Sequence, residues 1–414
     1  MSVSKKVYFF VRTFPVLSQT FVLNQVKDLK SRGMDVHVLA VNPINDDSSV
    51  LTSIFGSEAK NKVTSILPKP HSRKSWLLMI LGVFYCVMAK PRWEVLGLAI
   101  RLVKKKNFFL AKDLLCLVWF LRKRNIEMDN CIAHFGSNGV VLDYLRNANL
   151  IDCENLFTVF HGYEISRYDQ LNIWGEEYGK LGGTLLPISR HWEESLIAFG
   201  AQKENIKVIH MGVDVDKFSF IDKSIKPPLQ VLSVARATEK KGLKYAIQAV
   251  LEADIQCQFT LIGDGKLLPN LRKIVDEHEN KDRITFLGAC SPERVAQELK
   301  QTDLFLLPSV RDASGDKEGI PVSLMEAMAS GVIVLSTFHS GIPELIEDGK
   351  TGFLVPERDA NAIKSRMQDI VAHNSLSSIR VAARAKVETE FNASTLSNQP
   401  VSYTHLTLPT NREV

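Results

Sequence analysis

Short apolar runs alternate with amphipathic stretches along most of the chain, and the alternation forms two successive series. The first series predicts a helix over residues 21–32 between strands over 7–11 and 36–41, followed by strands over 130–133, 156–160 and 184–188. The second predicts strands over 231–234, 259–262, 284–287, 304–307 and 332–335, with helices over 243–252, 267–278, 293–300 and 323–329. Strands that alternate with helices build parallel sheets, so we predict an α/β protein with two tandem Rossmann-like domains.

A polar stretch that ends at Pro227 and Pro228 separates the two series. The chain has 414 residues, whereas one hydrophobic core rarely serves more than about 250–300. We therefore expect a first domain over residues 1–214 and a second over 215–385, with the ligand between them at the carboxyl ends of the strands. Residues 401–414 continue no pattern and are treated as a suspected non-native tail.

The strongest site pattern begins at Glu318. Pro321 suits the first turn of the predicted helix, so the amides of Gly319 and Ile320 would lie at a helix N-terminus that can face an anion. Eight helical residues rise about 12 Å, so Glu318 and Glu326 could accept hydroxyl hydrogen bonds from opposite ends of one nucleotide sugar. A helix with one capping and one solvated glutamate explains the same spacing.

Two loops that follow strands of the second series carry further candidates. Arg236 and Lys241 follow the strand over 231–234, where a bidentate guanidinium and an ammonium could hold a diphosphate. Gly263 and Gly265 form a tight turn that would let a ligand approach the backbone, although the third glycine of a dinucleotide fingerprint is missing. Solvated surface charges and a plain turn are the alternative interpretations.

Two histidines follow strands of the first series at the same sheet edge. His134 and His161 each come directly after an apolar run, at the functional edge of an open α/β sheet. Buried or rim histidines without a chemical role are the alternative. The sequence contains none of the usual metal-binding motifs, so no metal is expected at this edge.

The region from residue 69 to residue 124 is strongly basic. It contains thirteen Lys and Arg against two acidic residues, a local charge of +11 in a chain whose net charge is +5. Trp76, Phe84 and Trp93 interleave with these charges, so residues 74–124 are expected to rest on anionic lipid head groups, with a solvated helix face as the alternative. The longest apolar run spans 14 residues (76–89), shorter than the roughly 20 that cross a bilayer.

Taken together and in this order, these segments resemble the retaining GT-B glycosyltransferases of family 4. The second half carries the more specific motifs, which are Arg236 with Lys241-Gly242, Gly263-Asp264-Gly265, the Glu318 and Glu326 pair, and Gly341-Ile342-Pro343-Glu344. The first half resembles the branch that builds exopolysaccharide, colanic-acid-like or lipopolysaccharide chains, through Ser18-Gln19-Thr20 and Ala133-His134-Phe135. The resemblance implies a GT-B fold whose two domains face each other across a cleft.

The resemblance also implies a reaction and its residues. A sugar would move with retention from a UDP- or GDP-linked donor, with no cofactor or metal. The donor-binding residues would be Arg236, Lys241, Gly263, Gly265, Gly319, Ile320, Pro321 and Glu326. The catalytic residues would be His134 and Glu318, and the acceptor side would include Ser18, Gln19, Thr20 and His161.

The acceptor domain would be the first half, and the acceptor would be a lipid-linked glycan. We therefore expect a cytoplasmic enzyme peripherally bound to the inner leaflet through residues 74–124, and no nucleic-acid partner. A GT-B enzyme with a soluble acceptor, of the sugar-phosphate synthase type, and a non-catalytic nucleotide-sugar-binding subunit are the alternatives.

Several residues depart from the family pattern. Gln19 replaces the usual glutamate, Glu164 an aspartate, and His210-Met211 the common Pro-Asn pair. Residues 386–400 would begin the helix that returns to the first domain.

Overall fold

The computed structural model describes residues 6–16, 20–42, 48–67, 73–88, 91–123, 126–373 and 376–396. The first half contains six strands, which are β1 (Lys6–Val11), β2 (Asp35–Ala40), β3 (Val63–Ser65), β4 (Glu127–His134), β5 (Asp152–Phe160) and β6 (Thr184–Pro187). Its helices are α1 (Thr20–Ser31), α2 (Ser48–Phe55), α3 (Ala59–Lys62), α4 (Arg73–Val87), α5 (Pro91–Lys104), α6 (Phe108–Leu121), α7 (Gly136–Asn147), α8 (Tyr163–Ser166), α9 (Tyr168–Tyr178) and α10 (Arg190–Ala198).

The second half repeats this plan in a smaller space. Its strands are β7 (Leu229–Val234), β8 (Cys257–Ile262), β9 (Ile284–Gly288), β10 (Leu304–Leu307), β11 (Ile333–Thr337) and β12 (Phe353–Val355). Its helices are α11 (Leu243–Leu251), α12 (Leu268–Asp276), α13 (Pro292–Gln301), α14 (Val322–Ala329), α15 (Ile342–Leu345), α16 (Ala360–Ala372), α17 (Ser377–Glu390) and α18 (Ala393–Leu396).

Both sheets are parallel and have the same strand order. The first runs β3-β2-β1-β4-β5-β6 and the second β12-β11-β10-β7-β8-β9, which is the doubly wound 3-2-1-4-5-6 order read from opposite edges. The order reverses between β1 and β4 and between β7 and β10, and ligands of open α/β sheets bind at the carboxyl ends of strands at such points. The prediction of two Rossmann-like domains is confirmed.

The two halves have separate hydrophobic cores. One core contains buried side chains from Val7 to Ile206, with Met211 packed against it, and the other begins at Val213. Each predicted strand is present, and most are extended by one to four residues. The three-residue strands β3 and β12 were not predicted as strands, because runs this short carry too little alternation to separate them from loops.

The basic segment folds into three helices, α4, α5 and α6, that pack beside the first sheet. Gly82 allows the close approach of α4 to α6, since a Cβ at Gly82 would lie 2.1 Å from the backbone oxygen of Leu115. No helix among the described residues is long and apolar enough to span a membrane.

The end of the described chain returns to the junction between the halves. α17 stops at Glu390, so the expected return helix does not run on continuously from residue 386. The amide of Val213 donates to the Phe391 oxygen at 2.9 Å, and the Ala393 amide donates to the Val213 oxygen at 2.8 Å. This backbone exchange interrupts the helix and ties it to the linker.

Candidate active site

Two glycines hold the loop that follows β7 in a fixed position. A Cβ on Gly263 would lie 2.0 Å from the Ala235 oxygen, and one on Gly265 would lie 2.7 Å from the Ala237 oxygen. Only glycine therefore lets this turn pack against the backbone on either side of Arg236. The Arg236 side chain is exposed and forms no hydrogen bond or ion pair within the described part of the chain. Its guanidinium remains available for an anion.

Glu318 lies buried between two lysines. Its Oε2 accepts a hydrogen bond from Lys241 Nζ at 2.9 Å, and its Oε1 lies 3.6 Å from Lys240 Nζ. Burial raises the pKa of Glu318, but the ammonium groups of Lys241 and Lys240 outweigh burial and hold the pKa below its usual value. Glu318 is therefore an ionised carboxylate whose Oε1 has no hydrogen-bond partner among the described residues.

The segment after Glu318 is extended before it becomes helical. Pro321 has a ψ of 124° and caps α14, which begins at Val322. The estimate of about 12 Å between Glu318 and Glu326 assumed eight helical residues. That assumption was wrong, because half of the interval is not helical. The amides of Gly319 and Ile320 have no acceptor in the described residues, so both can face an anion beside the helix N-terminus.

Glu326 lies one turn inside α14 and is largely buried. Burial raises the pKa of Glu326 to about 7. No hydrogen bond or ion pair joins its carboxylate to another side chain in the part of the chain that the structure describes. Such a group is available to accept hydrogen bonds from a ligand's hydroxyls.

The first half contributes a chain of three polar side chains. His134 is the last residue of β4, which pairs with β1, and it is buried. Its Nδ1 lies 3.0 Å from His161 Nε2 and its Nε2 lies 2.9 Å from Gln25 Oε1. The Gln25 oxygen can only accept, so His134 Nε2 carries the proton and Nδ1 accepts from His161 Nε2–H. Gln25 was not predicted as a site residue, although it lies on the helix that follows the first strand, an element that leads away from the functional sheet edge.

Burial keeps both histidines neutral. Burial lowers the pKa of His134 to about 3, and burial together with the neighbouring His134 lowers the pKa of His161. The two rings are stacked with centroids 5.3 Å apart. Two neutral imidazoles at a sheet edge can donate and accept hydrogen bonds without adding charge.

Glu164 supports the loop that carries His161. It is fully buried, and its Oε1 accepts the backbone amide of His161 at 2.7 Å. Burial raises the pKa of Glu164 to about 7, even though backbone amides of His161 and its neighbours oppose the rise. The Glu164 carboxyl group therefore fixes the loop.

The two halves touch at the loops that carry these residues. The His161 oxygen lies 3.6 Å from the point where a Cβ on Gly319 would stand, and Ile188 Cδ1 lies 2.7 Å from it. Lys317 Nζ lies 3.2 Å from His191 Nε2. The loop of Glu318 and Gly319 therefore meets the loop of His161 across the cleft.

Glu344 joins the halves more directly. Its carboxylate accepts the amides of Arg190 and His191 at 2.9 and 3.1 Å, at the N-terminus of α10. His210 Nε2 lies 3.0 Å from the same carboxylate, and its ring stacks on Phe391. The departure from the family pattern at His210 thus forms part of the junction.

Three predicted acceptor-side residues are not described in full. Ser18 and Gln19 lie outside the described residues, and Thr20 begins α1 with a side chain that is also outside them. Within the described ranges no group of three or more His, Cys, Asp or Glu side chains is placed to hold a metal.

Comparisons with known proteins agree with this geometry. Residues 214–386 match the family model described as glycosyl transferases group 1. The chain is 37% identical over 403 residues to AmsK of Erwinia amylovora, named as an amylovoran biosynthesis glycosyltransferase, covering 94% of this chain and 96% of the relative. The chain belongs to the group 1 glycosyl transferases. This glycosyl transferase is also 35% identical over 412 residues to WcaL of Escherichia coli K12, a putative colanic acid biosynthesis glycosyltransferase, with coverage of 96% and 98%.

Solved structures show the same fold. The Anabaena protein HepE in complex with UDP superimposes with a TM-score of 0.68 at 17% identity, covering 98% of this glycosyl transferase and all of HepE. The lipopolysaccharide outer core galactosyltransferase WaaB gives a TM-score of 0.69 at 16% identity, with coverage of 97% and 99%. The GT-B fold expected from the sequence is confirmed.

Proposed function

We propose that this enzyme is a retaining glycosyltransferase of family 4 that transfers a sugar from a UDP- or GDP-sugar to a lipid-linked glycan during exopolysaccharide assembly. The observation that carries the proposal is the buried Glu318, ion-paired with Lys241 at the carboxyl edge of the second sheet and next to the loop of His161. Relatives named for amylovoran and colanic acid biosynthesis, and a GT-B neighbour bound to UDP, support the polysaccharide and the donor.

The chemical difficulty of the reaction is the negative charge that builds on the leaving diphosphate. We assign its stabilisation to Arg236, Lys241 and the amides of Gly319 and Ile320 beside α14. Lys241 would divide its hydrogen bonds between the diphosphate and Glu318. Arg236 and Lys241 can supply the positive charge that other enzymes take from a divalent metal. Transfer that persists in excess EDTA would support this assignment.

The two carboxylates would hold the donor at separate points. Glu318 Oε1 forms no hydrogen bond with the described residues and is suited to a hydroxyl of the donor sugar. The Glu326 carboxylate, which forms no hydrogen bond or ion pair within the same residues, is suited to the ribose. Gly263 and Gly265 would let the nucleotide lie against the backbone. His134 would line the reaction centre opposite the donor sugar, with His161 and residues 18–20 on the acceptor side.

The membrane is the proposed source of the acceptor. Eleven exposed large hydrophobic side chains lie between residues 76 and 109, on or directly after α4, on α5 and at the start of α6 (Trp76, Leu77, Ile80, Phe84, Val87, Met88, Trp93, Ile100, Val103, Phe108 and Phe109). The exposed basic residues Arg73 and Lys74 lie at the start of α4, and Lys104 and Lys106 lie at and just beyond the end of α5. Lys112 fits neither the expected contact with lipid head groups nor the alternative of a solvated charge, because it is buried near the Phe109 ring. An apolar face with a basic border suits an anionic bilayer surface.

This membrane-facing surface is connected to the cleft. Arg12, the first residue after β1, forms a 2.6 Å ion pair with Asp113 of α6. β1 ends at the point where the strand order of the first sheet reverses, so α6 leads from that edge toward the exposed Phe108 and Phe109. A lipid-linked glycan on the inner leaflet would then enter the cleft from the side of α6. We accordingly propose a cytoplasmic enzyme held at the inner face of the membrane.

Donor turnover tests the reaction. The purified full chain is incubated with UDP- and GDP-linked hexoses and with polyprenyl-diphosphate-linked or free sugar acceptors, and released nucleotide is quantified by chromatography. We expect release from one donor class, faster with the lipid-linked acceptor, and an α-configured product from an α-configured donor by NMR. Faster transfer to a free sugar would favour the soluble-acceptor alternative, and absence of release from every donor would favour a binding subunit.

Liposome flotation tests the surface. The double variant Ile80→Ser/Phe84→Ser is compared with Val381→Ser, a matched change of an exposed side chain on α17 in the other half. We expect wild type and Val381→Ser to float with anionic liposomes at low salt, and the double variant to remain at the bottom of the gradient. Equal flotation of all three proteins would remove the proposal for this surface.

A further inference from the structure

His339 lies directly beneath the loop that carries Glu318, and the proposed reaction does not use it. It is 1% exposed and follows β11, at the carboxyl edge of the second sheet. Its Nε2 accepts the backbone amide of Glu318 at 3.0 Å. Its Nδ1 lies 2.6 Å from Glu357 Oε1. The ring is thus held between the Lys317–Glu318 peptide and the Glu357 carboxylate.

These contacts determine the protonation of the ring. A nitrogen that accepts an amide N–H cannot carry a proton, so Nδ1 carries it and donates to Glu357. Glu357 is itself fixed, because its Oε2 accepts the Arg311 amide at 3.0 Å. Burial lowers the pKa of His339, although the neighbouring Glu357 opposes the shift. His339 is therefore neutral at neutral pH and fixed in orientation.

We call residues 318–321 the donor-binding loop. The Glu318 amide belongs to the peptide at the start of this loop, which sets the loop's direction. The Glu318 side chain points to Lys241 and Lys240, and the next two amides are those of Gly319 and Ile320. A rotation of the peptide at Glu318 would move the carboxylate and both amides together. We propose that His339 is a positioning residue for donor binding and catalysis, which holds the Glu318 backbone through Nε2 and releases it when that nitrogen becomes protonated. This inference rests on the proposed function of Glu318.

The charged groups around the ring set the conditions for release. Glu357 and Glu318 favour the protonated ring, whereas Lys317 opposes it. His191 of the first half also lies close to these groups. Burial, Lys317 and His339 together lower the pKa of His191 to about 4. Arg358 lies near Glu357 and favours its ionised form. Protonation of His339 would place two N–H donors against each other and break the bond to Glu318.

Two substitutions separate positioning from general stability. In His339→Gln the side-chain oxygen can still accept the Glu318 amide but cannot be protonated, whereas His339→Leu fills the space without an acceptor. His278→Gln is the matched control, because His278 Nδ1 also accepts a backbone amide, that of Asn280 at 3.1 Å, outside the donor-binding loop. The full chain is used throughout.

The expected results are specific to the hydrogen bond. Loss of the acceptor leaves the buried Glu318 amide unsatisfied and frees its peptide to rotate, so kcat of His339→Leu should fall roughly 10- to 100-fold, with a smaller change in KM. His339→Gln should keep kcat within about threefold at pH 7.5. As the pH is lowered, its kcat should fall less than that of wild type, so the acid limb of its pH–rate profile is reduced. His278→Gln should match wild type in both. A Leu variant with wild-type kcat, or a Gln variant with an unchanged acid limb, would overturn the proposal.

Amide hydrogen exchange gives a measure that does not depend on activity. The Glu318 amide should exchange faster in His339→Leu than in wild type and His339→Gln, whatever the donor. Equal protection in all three proteins would refute the hydrogen bond itself. An inactive wild type with the expected exchange pattern would instead count against the proposed function alone, so the two failures are distinguishable.

Discussion

Replacing Glu326 with glutamine should stabilise the protein while weakening the donor site. The Glu326 carboxylate is largely buried, and burial is the sole cause that raises its pKa to about 7. An unfolded glutamate has a pKa of 4.5. Between these values the folded state binds the proton more tightly than the unfolded state, so the free energy of unfolding falls as pH rises from 4.5 to 7 and is then constant.

The size of the effect follows from the shift. A difference of about 2.5 pKa units corresponds to about 3 kcal/mol at pH 8, where the buried carboxylate is ionised in wild type. The same linkage leaves under about 1 kcal/mol at pH 5. Glutamine has the same shape and carries no charge, so Glu326→Gln should be more stable than wild type by these amounts at each pH.

The assay is urea unfolding of wild type and Glu326→Gln at pH 5 and pH 8, followed by tyrosine and tryptophan fluorescence, together with nucleotide titration of the folded proteins. The variant should gain stability at pH 8, gain little at pH 5, and bind nucleotide more weakly. Glu326→Gln that is equal to or less stable than wild type at pH 8 would refute the reasoning, because the carboxylate would then have a stabilising partner.

The remaining predictions concern the cations, the junction and the histidine pair. Arg236→Ala and Glu318→Ala should abolish transfer with an unchanged circular dichroism spectrum; full activity in either purified variant would contradict the site. Glu344→Ala should lower the free energy of unfolding by about 2 kcal/mol through loss of the α10 amide bonds, with Glu344→Gln intermediate. Burial raises the pKa of Glu344, but His210 and the amides outweigh it, so the Glu344 contribution is present above pH 4.5 and is lost as pH falls further, which calorimetry at pH 7 and pH 4 measures. The His134 ring resonances should not titrate between pH 5 and pH 8 in NMR spectra, and a midpoint near 6.5 would contradict its burial.

Much of the fold could be predicted because parallel strands are buried and strongly patterned. The strand over 304–307 was predicted with its exact limits, since all four side chains are buried and apolar. The strands β3 and β12 could not be distinguished from loops, because three residues show no period. The end of α17 at Glu390 depends on a backbone exchange with Val213, a contact distant in sequence that no local pattern encodes.

The site was partly predictable for a similar reason. Charged residues and histidines that follow strands mark the sheet edge, and this pattern predicted Arg236, Lys241 and the histidine pair as site residues. Glu318 was predicted instead from its place before a helix. The pairing of Lys241 with Glu318 could not be predicted, because two loops 77 residues apart have to meet. His339 was missed because its importance lies in one backbone hydrogen bond, which leaves no trace in periodicity or charge.

Nucleotide binding tests the central claim, that the edge of the second sheet is a nucleotide-sugar site. Isothermal titration of wild type and Arg236→Ala with UDP and with GDP measures it directly. We expect wild type to bind one of the two nucleotides and Arg236→Ala to bind it roughly 10- to 100-fold more weakly, the loss expected for a charged hydrogen bond. Wild type that binds neither nucleotide, or Arg236→Ala that binds as tightly as wild type, would contradict the account.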